Sequence, residues 1–410
     1  MSETKSPLAP AKFPELPAIA GVRLAAGSAG IRYKGRTDLM IATLDPGTTV
    51  AGVLTRSKSY GAPVGWCRDC LPGGTARALV VNSGNANTFT GQAGREAVQR
   101  TAAAAAKLVG CAEQEVFISS TGVIGEALAV EKIEAALPEV AKSLAPANFA
   151  AAAQAIMTTD TFPKGSTATA EIGGVPVTLN GFCKGSGMIA PDMATMLGYL
   201  FTDAKLPAAV LQQLLSPANE RSFNSITVDG DTSTSDTVLI FATGKAGNPD
   251  IASAEDPKLK SFKAALDRVM IDLAQQIVRD GEGAERFVTI SVTGATSSAA
   301  ARRVGLTIGN SPLVKTAIAA GDANWGRIAA AVGRAGEKAD RDTLAIAIGG
   351  TLIAEKGGPV AGYDETPVAA HMKGRDIRID VDLGVGHGKA TVWTCDLTHR
   401  YIDINGSYRS

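Results

Sequence analysis

Short apolar runs that break into glycine- and hydroxyl-rich loops recur along this chain, and they alternate with helical stretches. ALVVNSGNAN (78–87) and EVFISSTGVIG (115–125) each begin as a strand and end in such a loop. Between them, GQAGREAVQRTAAAAAKLVG (91–110) is alanine-rich and reads as a helix, with Gly110 suited to its C-cap. Further helices are expected near 127–136, 146–157 and 206–216. Residues 195–203 turn apolar, and strands are expected near 237–243 and at 287–295. Residues 257–279 place Leu259, Phe262, Leu266, Val269 and Leu273 at helical spacing. SPLVKTAIAAGDANWGRIAAAVGRAG (311–336) reads as two helical pieces broken at GDANWG. Such interleaving predicts a mixed α/β fold.

Some pairings can be anticipated. DLMIATLDPGTTVAGVLT (38–55) reads as a hairpin, and EIGGVPVTLNGFCKGSG (171–187) as two short strands with glycine turns. LAIAIGG, DIRIDVDLG and ATVWTCDLT near the end alternate regularly and suggest antiparallel strands.

Charge narrows the function. Forty basic and forty acidic residues give a formal net charge of zero, with no basic or acidic run, so a nucleic-acid partner is not expected. No run of about 18 apolar residues spans a membrane. The first dozen residues carry no apolar signal core, so the expected location is the cytoplasm. Five cysteines, an odd number, do not suggest a disulfide framework. Cys67 and Cys70 form a CxxC without a second pair or nearby histidines, so no metal is expected and they read as structural thiols.

Several catalytic arrangements are poorly supported. The three histidines, His371, His387 and His399, all come late, and no GxSxG elbow seats a serine. GVGHGKAT (384–391) has three residues, not four, before its Gly-Lys, so it is no phosphate loop and reads as a hairpin turn. No cofactor or nucleotide motif is found. Hydroxyl-rich loops remain. SSTGVIG (119–125) can aim successive backbone N–H groups at one point, which suits an oxyanion. Lys184 in KGSGM and Glu282 in RDGEGAERF sit among glycines, where a lone charge is usually a solvated one. Thr195 has one route to nucleophilicity without histidine. Were the preceding peptide bond cut, its own α-amine, with a pKa near ~8, would serve as base.

KGSGMIAPDMATMLGYLFTDA (184–204) closely resembles the processing and active-site segment of the ornithine acetyltransferases, the glutamate N-acetyltransferase family of arginine biosynthesis. VVNSGNANTFTG, ISSTGVIGE, IMTTDTFPK, SFNSITVDGDTSTSDT, RDGEGAERF, GDANWGRI and YIDINGSYRS also resemble that family, in order, so nearly the whole chain is covered. The resemblance implies a two-lobed fold of mixed sheets packed against helices, with the active site between lobes. It implies self-cleavage between Ala194 and Thr195, giving an α chain of 1–194 and a β chain of 195–410, assembled as α₂β₂. Thr195 becomes the nucleophile, and Thr121 and Gly122 supply the oxyanion hole. Substrate contacts fall on Thr159 (or Thr158), Lys184, Thr195, Glu282, Asn405 and Ser410, which keeps the hydroxyl of the threonine found in many relatives. The implied reaction moves the acetyl group of N2-acetyl-L-ornithine to L-glutamate through an acetyl-threonine ester. By charge, Lys184 suits the substrate carboxylate and Glu282 the ornithine ammonium. The sequence leaves open whether acetyl-CoA is a second donor. Two other readings compete: an N-terminal-nucleophile hydrolase that gives the acyl group to water, and a catalytically silent ligand-binding protein.

Overall fold

The computed structural model describes residues 5–32, 35–190 and 196–406. The first and larger lobe runs β1 (Val22–Gly27), β2 (Leu39–Leu44), β3 (Thr49–Leu54), α1 (Ala62–Cys70), β4 (Ala78–Asn82), α2 (Gly91–Val109), β5 (Val116–Ser120), α3 (Val130–Ala141), α4 (Phe149–Ala155), β6 (Lys164–Ile172), β7 (Val175–Lys184), β8 (Leu197–Thr202), α5 (Ala208–Arg221), β9 (Thr237–Ala242) and α6 (Lys260–Arg279). The second lobe continues with β10 (Phe287–Ala295), α7 (Ser298–Gly309), α8 (Pro312–Ala319), α9 (Trp325–Gly333), β11 (Ala345–Ile348), β12 (Thr351–Glu355), β13 (Gly358–Pro359), α10 (Thr366–Met372), β14 (Asp376–Asp382), β15 (Gly388–Cys395) and α11 (His399–Gly406).

The larger lobe stacks two sheets, ordered β1-β2-β4-β5 and β3-β9-β8-β7-β6. Their strands are apolar on both faces because both faces are covered. In β9, Leu239 and Phe241 point between the sheets, while Val238 and Ile240 point out toward α5 and α6. In β4, Leu79 and Val81 point inward, while Ala78 and Val80 meet α2 and α3. The result is a four-layer helix–sheet–sheet–helix sandwich. Aromatic rings knit its middle: Phe201 stacks on Phe241 at 5.3 Å and on Phe182 at 5.9 Å. Each buried ring contributes ~1.5–3 kcal/mol by leaving water.

The smaller lobe is a six-stranded sheet, β13-β12-β11-β14-β10-β15, covered on one side by α7 to α10. Strand β14 shows the one-sided pattern plainly: Ile377, Ile379 and Val381 are buried, while Asp376, Arg378 and Asp382 are exposed.

Three expectations need correction. Residues 38–55 are two strands but not a hairpin. The turn at Asp45–Gly47 carries the chain from one sheet to the facing one, where β3 pairs with β9 instead of β2. The segment read as two short strands at 171–187 is one long hairpin, β6 with β7, turning at Gly173–Gly174. GVGHGKAT is not a hairpin turn either, since β10 lies between β14 and β15. The mixed α/β class and the Gly110 cap, at φ 72°, hold as expected.

Candidate active site

The site forms at one rim of the sandwich, where loops from both sheets meet α11 of the smaller lobe. Strand pairing fixes its centre. Lys184, the last residue of β7, lies opposite Leu197 of β8. On the other side of β8, Thr237 lies opposite the same leucine. Lys184 and Asp236 therefore flank the entry to β8. Asp236 Oδ1 accepts the Met196 N–H at 2.8 Å and pins that entry. The aspartate is fully buried, and its Oδ2 has no partner among the described residues. Burial drives its carboxyl well above the usual range, against the pull of the Met196 amide and the Lys184 charge. Ala194 and Thr195, directly upstream of Met196, lie outside the described residues, as does Ser410.

A cavity of about 560 Å³ opens here, lined by Thr121, Gly122, Thr158, Thr159, Lys184, Glu282 and Asn405, together with the 233–235 segment. Every expected site residue that the structure describes thus meets in one place. Both Thr158 and Thr159 reach it, and Thr159 hydrogen-bonds the Glu282 carboxylate. Neither charged residue is a solvated loop charge: Lys184 is 3% exposed and Glu282 8%. Lys184 Nζ donates to Thr121 Oγ1 at 3.2 Å. Burial lowers its pKa, partly offset by the Asp160 carboxylate. Burial raises the pKa of Glu282, against the hydrogen bonds from Asn405 (Nδ2 to Oε2, 2.7 Å) and Thr159. Gly187 lets that carboxylate lie flat on the KGSG loop, since a Cβ there would sit 2.4 Å from it.

The loop after β5 departs from expectation. Its backbone does not aim successive N–H groups into the cavity, because the Thr121 N–H is spent on the Asn82 carbonyl at 3.0 Å and the Val123 N–H on Gly84. Among the described residues the Thr121 hydroxyl and the N–H groups of Gly122 and Ile124 remain unspent on the loop's own backbone. Gly122 is required by geometry: φ is 132°, and a Cβ would lie 2.3 Å from the Gly84 carbonyl carbon.

Behind the loop lies a charge cluster that residue types alone did not reveal. Lys164 Nζ sits 2.6 Å from both Asp160 Oδ1 and Asp280 Oδ2, and all three side chains are buried. Asp160 Oδ1 also takes the Gly185 N–H at 2.7 Å, and the Asp280 carbonyl takes the Ser186 hydroxyl at 2.6 Å. The cluster thereby clamps the residues next to Lys184. Burial opposes ionisation of Asp160, but Lys164 and Lys184 outweigh it and hold the carboxyl below the usual range; burial leaves Asp280 above it. The available signal was that TTDTFPK, DGDTSTSD and RDGEGAERF each hold an aspartate among small or hydroxyl residues.

Other candidates stay away from the site. His371 accepts the Arg378 N–H, and His387 and His399 are exposed. No group of metal-binding side chains gathers among the described residues. Cys67 and Cys70 lie in α1, where burial pushes their thiols up to about 12 and about 11, as inert structural thiols should be. No helix among the described residues is long and apolar enough to cross a membrane.

A buried ammonium and a buried carboxylate, set around a free N–H and a hydroxyl, suit a small zwitterion bearing a carbonyl group. That is the layout of an acyl-transfer site. The chain belongs to the ArgJ family, whose model matches residues 23–410. The arginine biosynthesis bifunctional protein ArgJ of Gluconobacter oxydans is 60% identical over 405 residues, covering 99% of this chain and 95% of that one. The protein of the same name from Bradyrhizobium diazoefficiens is 56% identical over 413 residues, covering all of both. A crystal structure of the Bacillus halodurans ArgJ protein is 42% identical and covers 50% of this chain and 96% of its own, with a TM-score of 0.49.

Proposed function

We propose that this acetyltransferase of arginine biosynthesis moves the acetyl group of N2-acetyl-L-ornithine to L-glutamate through an ester on Thr195. The chain first cuts itself between Ala194 and Thr195, giving 1–194 and 195–410. One observation carries the reading: widely separated loops bring Thr121, Gly122, Lys184, Glu282 and Asn405 around the entry to β8, which begins two residues after Thr195. The Thr195 hydroxyl attacks the acetyl carbonyl and its proton passes to the Thr195 α-amine. The Thr121 hydroxyl and Gly122 N–H take the developing oxyanion. The amine proton leaves with ornithine, and glutamate then attacks the ester. Lys184 holds the substrate carboxylate, and Glu282 the ornithine ammonium. Acetyl-CoA serves as a second donor to the same threonine, the working assembly is α₂β₂, and the enzyme acts in the cytoplasm.

Initial rates with both substrates varied test the cycle. A double-displacement pattern is expected, whereas intersecting lines would rule out the ester route. Because the Thr121 amide is already bonded, its hydroxyl is the group the oxyanion needs. Thr121→Val keeps the volume and should lower kcat by roughly 10²–10³-fold. A loss of less than about threefold would remove this donor from the scheme.

The charge assignment fixes a pH dependence. Glu282 must be ionised to hold ornithine's ammonium, and burial raises its pKa above the ordinary glutamate value. As pH falls through that raised pKa the carboxylate is protonated, so kcat/KM for acetylornithine falls. Glu282→Gln should flatten this acid limb and weaken acetylornithine by roughly 10–100-fold. An unchanged limb in the variant would assign the ionisation elsewhere.

A further inference from the structure

A second cavity, about 480 Å³, lies beside the first, and Thr159 and Glu282 stand in the walls of both. Its walls also hold five cations, Lys5, Arg286, Lys373, Arg375 and Arg400, drawn from four distant parts of the chain. Lys373, Arg375 and Arg400 are exposed and make no side-chain hydrogen bond or ion pair with any described residue. Lys5 Nζ donates to the Pro10 carbonyl at 3.0 Å. Arg286 reaches the Ala319 carbonyl at 2.8 Å and lies 3.7 Å from Asp396, and its Nε is buried without a partner. The opposing carboxylates are fewer. Asp280 shares the Lys164 ammonium with Asp160, Glu282 is held by Asn405, and of the lining carboxylates only Glu285 is exposed.

Converging cations that outnumber their counter-charges repel one another, and a bound anion relieves that cost. Guanidinium forks match phosphate oxygens, and the volume suits a ligand of nucleotide size. We propose that this pocket binds the phosphate groups of a nucleotide-sized ligand whose other end reaches the reaction cavity past Thr159 and Glu282. The proposal rests on the acetyl-transfer reading only for what the first cavity does. No contiguous phosphate loop marks the pocket, because its cations come together only in the fold.

The test is calorimetric titration of the intact protein with inorganic pyrophosphate and with ADP, at low and at high salt. Saturable binding is expected, weakened about tenfold or more by Lys373→Ala with Arg375→Ala, and by added salt. Arg375→Lys should restore part of it, and acetylornithine–glutamate exchange should stay at the parent rate in every variant. If the phosphates belong to an acyl carrier, coenzyme A displaces pyrophosphate and the double variant raises KM for acetyl-CoA alone. If they are free phosphates, pyrophosphate binds and coenzyme A does not compete. Either result supports a phosphate site. No saturable binding by the parent protein, or equal binding by the double variant, overturns it. A parent protein that binds pyrophosphate as expected but lacks exchange would sink the acetyl-transfer reading and leave this site standing.

Discussion

Thr195→Ala should leave the chain as one full-length band on a denaturing gel and lower acetyl exchange by at least roughly 10⁴-fold. Two effects combine in that number. The nucleophile is lost, and so is the cut that creates its base. An ordinary threonine hydroxyl titrates far too high to react unaided, and no histidine is among the described residues that line the cavity. Thr195→Ser separates the effects, since it keeps a hydroxyl and so should still cut and still transfer, more slowly. A Thr195→Ala protein that is cut normally, or that retains a tenth or more of the parent activity, would refute the nucleophile assignment.

The largest expected loss of stability comes from Lys164→Met. The substitution leaves Asp160 and Asp280 facing each other in a buried site without the cation they share. Breaking a buried ion cluster by removing one partner costs about 3–5 kcal/mol. That is a large share of the ~5–15 kcal/mol by which domains hold together. The exposed Lys142–Glu139 pair is the natural comparison: at 70% and 71% side-chain exposure, Lys142→Met should cost less than about 1 kcal/mol. Urea midpoints at one protein concentration measure both. Equal shifts would mean that the cluster does not support the fold as described. Because the cluster clamps Gly185 and Ser186, Lys164→Met should also raise KM for acetylornithine.

Much of the architecture was legible in the sequence. Helices α2 and α6 announced themselves by alanine content and by apolar spacing, and the capping role of Gly110 followed from its conformational freedom. Strands β4, β5 and β9 stood out as apolar runs between loops. Pairing was harder to read. Strands β2 and β3 are close in sequence, yet β3 finds its partner β9 almost 190 residues away, and a local pattern carries no trace of that choice. The first half of the β6–β7 hairpin was missed because KGSTATAEI is rich in small and hydroxyl residues that also populate loops.

The site was legible through resemblance more than through residue types. Taken singly, Lys184 and Glu282 looked like solvated charges; the fold closes over both, and burial then shifts both toward their neutral forms. The Thr121 amide looked available, and only strand geometry shows it committed to Asn82. Nothing in the residue types around Asp236 marks it out; the parallel pairing of β8 with β9 sets it against Met196.

The central claim is that Thr195 becomes a chain end and carries the acetyl group. Intact-mass spectrometry of the protein, mixed with acetylornithine and quenched without glutamate, addresses it directly. Two chains are expected, 1–194 and 195–410, with one added acetyl group on the second that glutamate removes. A single uncut chain with full exchange activity, or an acetyl group on any residue other than Thr195, would contradict it.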